Sequence, residues 1–151
     1  VLYRNNSRSG ASLVEFAIVG PITFIIILAI VIVGLGVFRY QEVAHLARQA
    51  ARYASVHGKQ YAKDTGQPAA TQQSIYSNVI QPGLVILDPN YLTYSVTWNT
   101  DNGQYHAATQ NNKDIFTTNT VTVTVTYQWA AQPFFSSPIT LQSTATMPMS
   151  Y

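Results

Sequence analysis

The sequence predicts an α+β protein: a long N-terminal helix, membrane-spanning at first and amphipathic beyond, packed on a small antiparallel β-sheet of three to four strands. Three patterns point to it. Residues 16–38 form a run of 23 without a charge. Beyond that run, Val43, Leu46, Ala47, Ala50, Tyr53, Ala54 and His57 recur at the spacing of one helix face. In the last third, Val121, Val123, Val125, Tyr127 and Trp129 alternate with Thr122, Thr124, Thr126 and Gln128, the period of a strand with one buried face.

At ~1.5 Å per residue the uncharged run covers about 34 Å as a helix, slightly more than the ~30 Å of bilayer hydrocarbon. A secretory signal peptide has a shorter apolar part, roughly 7–15 residues, followed by a small-residue cleavage site. The sequence Gly36-Val37-Phe38-Arg39 offers no such site, so the run reads as a genuine membrane span. Arg4 and Arg8 precede it, and Arg39, Arg48 and Arg52 follow it, so the positive-inside rule does not by itself fix the orientation. A basic leader, residues 1–10, is a short segment to leave behind while a polar remainder crosses. That favours a single pass with a cytoplasmic N-terminus and an extracytoplasmic helix-plus-sheet domain over residues 58–151. Gly20, Pro21, Gly34 and Gly36 are the points of helix flexibility inside the span, because proline removes a backbone donor and glycine weakens helix continuity. Membrane helices commonly carry both residue types, so a bend with a function and a neutral one are equally open here.

A single helix is expected from about residue 11 to 57, some 70 Å long, so that about half of it protrudes from the bilayer. Ala44, Ala47, Ala50, Ala51 and Ala54 would let a sheet or another helix approach closely. Residues 58–70, with Gly58, Gly66 and Pro68, read as a helix stop and linker. Residues 71–80 read as a short helix with Ile75, Val79 and Ile80 on one side, closed by Pro82-Gly83. Leu92, Tyr94, Val96 and Trp98 then alternate with Thr93, Ser95 and Thr97 as a strand. A turn at 99–103 leads to a second strand around 104–108, and Ile139, Leu141, Ala145 and Met147 share one face of a last strand. The aromatic side chains of the distal part are expected mostly in the core, with an exposed minority in the loop over 130–138 around Pro133, Phe134 and Phe135.

Composition narrows the function. There is no cysteine, hence no disulfide and no thiolate metal site. Charged residues make up 9% of the chain, and the net charge of +2 falls to zero if Arg4 and Arg8 leave with the leader; nucleic-acid binding finds no support. His45, His57 and His106 are too scattered to hold a metal, although His45 shares a helix face with Glu42. No glycine-rich phosphate loop, nucleophile elbow or carboxylate pair is present. The expectation is a non-enzyme without cofactor or metal.

One acid stands out. Glu15 sits at the mouth of the apolar run, in Gly10-Ala-Ser-Leu-Val-Glu15-Phe-Ala. Ser12 and Glu15 can form a capping box that satisfies backbone donors at a helix start. Alternatively, an unpaired carboxylate beside hydrocarbon is costly enough to need a cation during assembly. A cut between Gly10 and Ala11 would supply one, since the new α-amino group lies four residues, about one turn, from Glu15. Here the residues resemble a family. Gly10, Ala11 and Glu15 ahead of an apolar helix look like the processing signal of type IV prepilins and pseudopilins. The fuller string through Gly20-Pro21, followed by Ala-Arg-Gln-Ala-Ala-Arg-Tyr-Ala-Ser-Val-His-Gly ending at Gly58, is similar to the TadE-like family of tight-adherence (Flp) pilus systems. The resemblance covers the first 58 residues best and touches the C-terminal strands.

That resemblance implies a pilin-like fold and processing by a prepilin peptidase at Gly10–Ala11. It implies anchorage in the lipid of the bacterial inner membrane, with the outer domain in the periplasm or on an extracellular pilus. It also implies homo- or hetero-oligomeric assembly with other pilin or pseudopilin subunits and the pilus assembly machinery, Glu15 pairing with the new amino terminus. Two other readings stay open: an uncleaved single-span protein whose outer sheet domain binds or adheres to a ligand, and a main filament-forming pilin. The sheet domain is much larger than the short major subunits of Flp pili, which favours a minor component.

Overall fold

The computed structural model of the protein describes residues 9–110, 113–130 and 135–151. Arg4, Arg8, Pro133 and Phe134 lie outside the described residues. The chain forms two compact units, one ending at Val37 and the other running from Phe38 to Tyr151.

The long helix is present as α1, Ser9–Val56. In the first unit its side chains have no protein neighbours to bury them: Phe16, Ile18, Phe24, Ile30 and Val33 are all more than half exposed. A helix that is apolar all round belongs in lipid or among other helices, and this one is long and apolar enough to cross a membrane. Pro21 lies inside it without ending it. Membrane helices tolerate proline because neighbours and local adjustments re-satisfy the freed carbonyl.

In the second unit α1 becomes amphipathic, as its sequence dictates. Val43, Ala44, Leu46, Ala47, Ala50, Ala51 and Ala54 are buried, while Gln41, His45, Arg48, Gln49 and Arg52 face outward. The alanines therefore line the buried face of the helix. The opposing surface is a three-stranded antiparallel sheet ordered β1 (Leu92–Trp98), β4 (Thr120–Trp129), β5 (Ile139–Pro148). In central β4 every valine, Tyr127 and Trp129 are buried, each valine contributing roughly 1.5–3 kcal/mol by leaving water. The register sets Val123 opposite Val96 and Ala145, and Tyr127 opposite Leu92 and Leu141. The other face is a threonine surface, with Thr122 and Thr146, and Thr124 and Thr144, joined by hydroxyl contacts of 2.9 Å. Such cross-strand pairs add a few tenths of a kcal/mol each, up to about 1.

Two expectations need correction. The stretch 58–70 is not all linker: it holds α2 (Lys59–Thr65), a two-turn helix with no buried residue that stops at Gly66 in a left-handed conformation, φ 70°. Nothing apolar marks it in the sequence, because it packs nothing away. The three-stranded sheet is as expected, but the second strand expected around 104–108 does not join it. Residues 105–118 form a separate antiparallel hairpin, β2 (Tyr105–Gln110) and β3 (Lys113–Thr118), inserted between β1 and β4. Residues 71–80 form a helical turn, α3 (Gln72–Ile75), capped by Thr71 and Ser74 and continued as a wider π turn over Tyr76–Ile80. Ile75 and Ile80 are fully buried there.

The aromatic core is smaller than the sequence implies. Tyr127 and Trp129 are buried, but Tyr91, Tyr105, Phe116 and Phe135 are half or more exposed. The buried surface is filled mainly by alanine, valine, leucine and isoleucine.

Candidate functional site

Gly10, Ala11 and Glu15 all lie in the first two turns of α1 and are exposed. A Cβ added to Gly10 would meet nothing within 4 Å. Because α1 already runs from Ser9, Ser12 stands inside the helix and the capping-box reading of Ser12 and Glu15 fails: a cap must sit at the helix boundary. The carboxylate of Glu15 instead projects from an otherwise apolar cylinder, beside Phe16 and Val19. A Cβ added to Gly20 would meet the ring of Phe16 at ordinary contact distance, 3.7 Å, and one added to Gly34 would meet nothing within 4 Å. Neither interrupts α1, nor does Gly36.

The second unit contains two polar arrangements that sequence reasoning did not find. The first is centred on Asn119, the residue that turns the chain from the β2–β3 hairpin into β4 and is fully buried. Its amide nitrogen donates to Asp101 Oδ1 at 3.0 Å and to the Gly103 carbonyl at 2.8 Å. Its Oδ1 faces His106 Nδ1 at 2.7 Å; with the amide nitrogen already engaged, the histidine nitrogen is the donor. Its backbone N–H donates to Gln104 O, and its carbonyl accepts from Met149 N. One asparagine thus ties the 99–103 turn, the hairpin base and the C-terminal strand together. Asp101 extends the network to α2 by an ion pair with Lys59 Nζ at 2.6 Å.

The lysine, then the Gly103 N–H at 2.8 Å, hold the Asp101 carboxyl below its ordinary value. A carboxylate with a depressed folded pKa stabilises fully above the usual carboxylate range and loses that contribution as pH falls through the lowered value. Both partners are about half exposed, so the pair itself contributes little. The buried amide is worth more. Asn119→Ala strands the His106 donor and the Gly103 carbonyl and should cost about 2–3 kcal/mol. In a thermal melt of the full chain that appears as a drop on the order of 10 °C or more; an unchanged melt would remove Asn119 from this role.

The second arrangement is at the other end of the sheet. Glu42 Oε1 accepts the backbone N–H groups of Val85 and Ile86 at 2.9 and 3.2 Å. One turn earlier, the Arg39 guanidinium lies 5.3 Å from the Trp129 ring centroid, within the range of a cation–π contact. Glu42 therefore anchors a loop; it does not combine with His45, which is exposed. His57 stacks on Tyr53, 3.9 Å between centroids, with Nδ1 2.8 Å from the Tyr53 carbonyl. The three histidines remain apart, and among the described residues no group of three histidine, cysteine or acidic side chains is placed to hold a metal.

No curated protein and no solved structure matches the chain. A family model does match, over residues 10–52, from the glycine that opens the predicted processing site to the middle of the amphipathic half of α1. Over that segment, a little more than a quarter of its length, the chain is similar to the family described as TadE-like protein, and the segment lies within the helix that is long and apolar enough to cross a membrane.

Proposed function

We propose that this chain is a minor pilin or pseudopilin of a Tad (Flp) type IV pilus, a structural and not a catalytic component. Residues 16–38 hold it in the inner membrane with the N-terminus in the cytoplasm. A prepilin peptidase cuts between Gly10 and Ala11, and the new α-amino group of Ala11 meets Glu15 of its own or a neighbouring subunit as helices assemble. Gly20, Pro21, Gly34 and Gly36 supply the give that lets the helix repack on leaving the bilayer. The observation that carries this reading is the coincidence, within one TadE-like segment, of an exposed Gly10–Ala11 at the start of α1, a lone carboxylate one turn on, and an apolar helix with nothing of its own to pack against. A carboxylate at that depth needs a partner, and the cut creates one at the right distance.

The direct test is the intact mass of the protein from native membranes and from sheared surface material. The expected species begins at Ala11 and is present in both fractions. An uncut mass confined to membranes would overturn the pilin reading and favour a bitopic protein with a ligand-binding outer domain.

A further inference from the structure

The loop over residues 84–87 is more apolar on its outside than its position in a polar domain warrants. Val85 is 83% exposed and Ile86 42% exposed. What fixes them is Glu42, whose single oxygen takes both backbone N–H groups, so the amides of Val85 and Ile86 are turned in and their side chains stay exposed, while Leu87 is buried.

Glu42 lies four residues beyond Phe38, the last residue of the uncharged run, which is about 6 Å of helix rise. Whatever is tied to Glu42 is thus tied to the level at which α1 leaves hydrocarbon. The neighbours at that level have the chemistry of a membrane interface: Tyr40 is exposed, and Arg39 rests on Trp129. Aromatic rings and long cationic side chains settle at headgroup depth because each has an apolar body and a polar end. The far end of the same sheet carries Asn119 and the Lys59–Asp101 pair, and the β-face there is threonine. The β2–β3 hairpin also exposes Ile115 and Phe116, but Val85 is the most exposed large apolar side chain among the described residues, and it lies at the end where α1 emerges.

We propose that the loop over residues 84–87 is a membrane-contact loop: Val85 and Ile86 enter the headgroup and upper acyl region of the leaflet from which α1 emerges, and Glu42 is the positioning residue that holds them at that depth. The occupant is the lipid surface, and the inference rests on residues 16–38 spanning the bilayer. The contact would fix how far the outer domain stands from the membrane before assembly and would have to be released when a subunit is extracted.

The chain has no cysteine, so a single reporter can be placed without background. Nitroxide labels on Val85→Cys, on Thr97→Cys at the far end of β1, and on Ile25→Cys within the span would be compared in full-length protein. The host is phosphatidylethanolamine–phosphatidylglycerol vesicles at high lipid excess. The reading is collision with oxygen, which partitions into lipid, against a water-soluble nickel chelate. The expected oxygen-to-nickel ratio at Val85 is severalfold above that at Thr97 and approaches that at Ile25. In a Glu42→Ala background the Val85 ratio should fall toward the Thr97 value, and Glu42→Gln, which keeps an acceptor oxygen, should restore much of it. A Val85 label as water-accessible as Thr97, with Ile25 in lipid, overturns the inference and leaves the span intact. A Val85 label shielded from both reagents also overturns it, in favour of contact with another subunit. Water access at Ile25 would instead defeat the membrane-span reading on which it rests.

Discussion

Replacing Glu15 with alanine is expected to leave the chain in the membrane fraction and to remove it from sheared surface material. Insertion should not suffer, because an ionised carboxylate near the helix centre disfavours membrane entry by about 2.5–3.5 kcal/mol and less toward the ends, a penalty that alanine lacks. Assembly is where the carboxylate counts. In the proposed assembly, packing of the helices draws the α-amino group of a cut Ala11 from water, and without Glu15 that group would be left uncompensated. Truncating one partner of a desolvated charge pair costs roughly 2–5 kcal/mol, which is some 30-fold to several thousand-fold in association. Glu15→Gln separates charge from hydrogen bonding: glutamine serves in a helix cap as well as glutamate does, but it cannot neutralise an ammonium. Both variants should insert and both should fail to co-assemble. Incorporation of Glu15→Gln at the normal level would show that the pairing idea is wrong.

How much of this was legible in the sequence depends on whether burial leaves a period. The span, the amphipathic half of α1 and β4 were readable residue by residue, because each has a face wholly committed to one environment. Strand β1 was readable for the same reason: Leu92 and Val96 are buried, and Tyr94 and Trp98 are half-buried on that face. Strand β3 was not. Every described residue in it is exposed, and its two apolar members, Ile115 and Phe116, are adjacent instead of alternating. It is a strand through pairing with β2, which leaves no hydrophobic signature. The aromatic residues misled for a related reason. Ring size argues for burial only where a core surface reaches the ring, and Phe116, on the separate β2–β3 hairpin, ends 76% exposed.

The candidate site divides in the same way. Gly10, Ala11 and Glu15 are neighbours in sequence, so their relation could be read directly. Glu42 and residues 85–86 are more than forty positions apart, as are Lys59 and Asp101. Asn119 sits in a run of threonines with nothing to mark it in the sequence, yet it joins three segments. Polar side chains that act by gathering distant backbone groups carry no local signal, and only the topology exposes them.

Gly58 shows the other side of that rule, and Gly58→Ala is expected to be among the most damaging single changes in the outer domain. Its backbone, φ −82° and ψ −164°, is one any residue adopts, so the demand for glycine there is spatial and not conformational. A Cβ would fall 2.2 Å from the Tyr151 carbonyl oxygen, 2.5 Å from that of Asn102 and 2.8 Å from Met149 Cε. A methionine methyl can yield; the Asn102 oxygen is engaged by Lys59 N–H at 2.9 Å, and Asn102 lies in the turn pinned by Asp101. Relief therefore requires the α1–α2 junction to part from the 99–103 turn. Overpacking of this kind costs about 1–3 kcal/mol, and each hydrogen bond lost adds about 1 kcal/mol, for a total near 3–4 kcal/mol. For a unit of this size that corresponds to roughly 12–30 °C in Tm. Gly66→Ala is the matched comparison, since Gly66 does sit in the left-handed region but has open space around it, and the strain there costs only about 1–2 kcal/mol. Thermal unfolding of the two variants in the same detergent should rank Gly58→Ala well below Gly66→Ala. The opposite ranking would mean that the junction of α1 with α2 is loose enough to admit a methyl group, and that the turn held by Asn119 does not brace it.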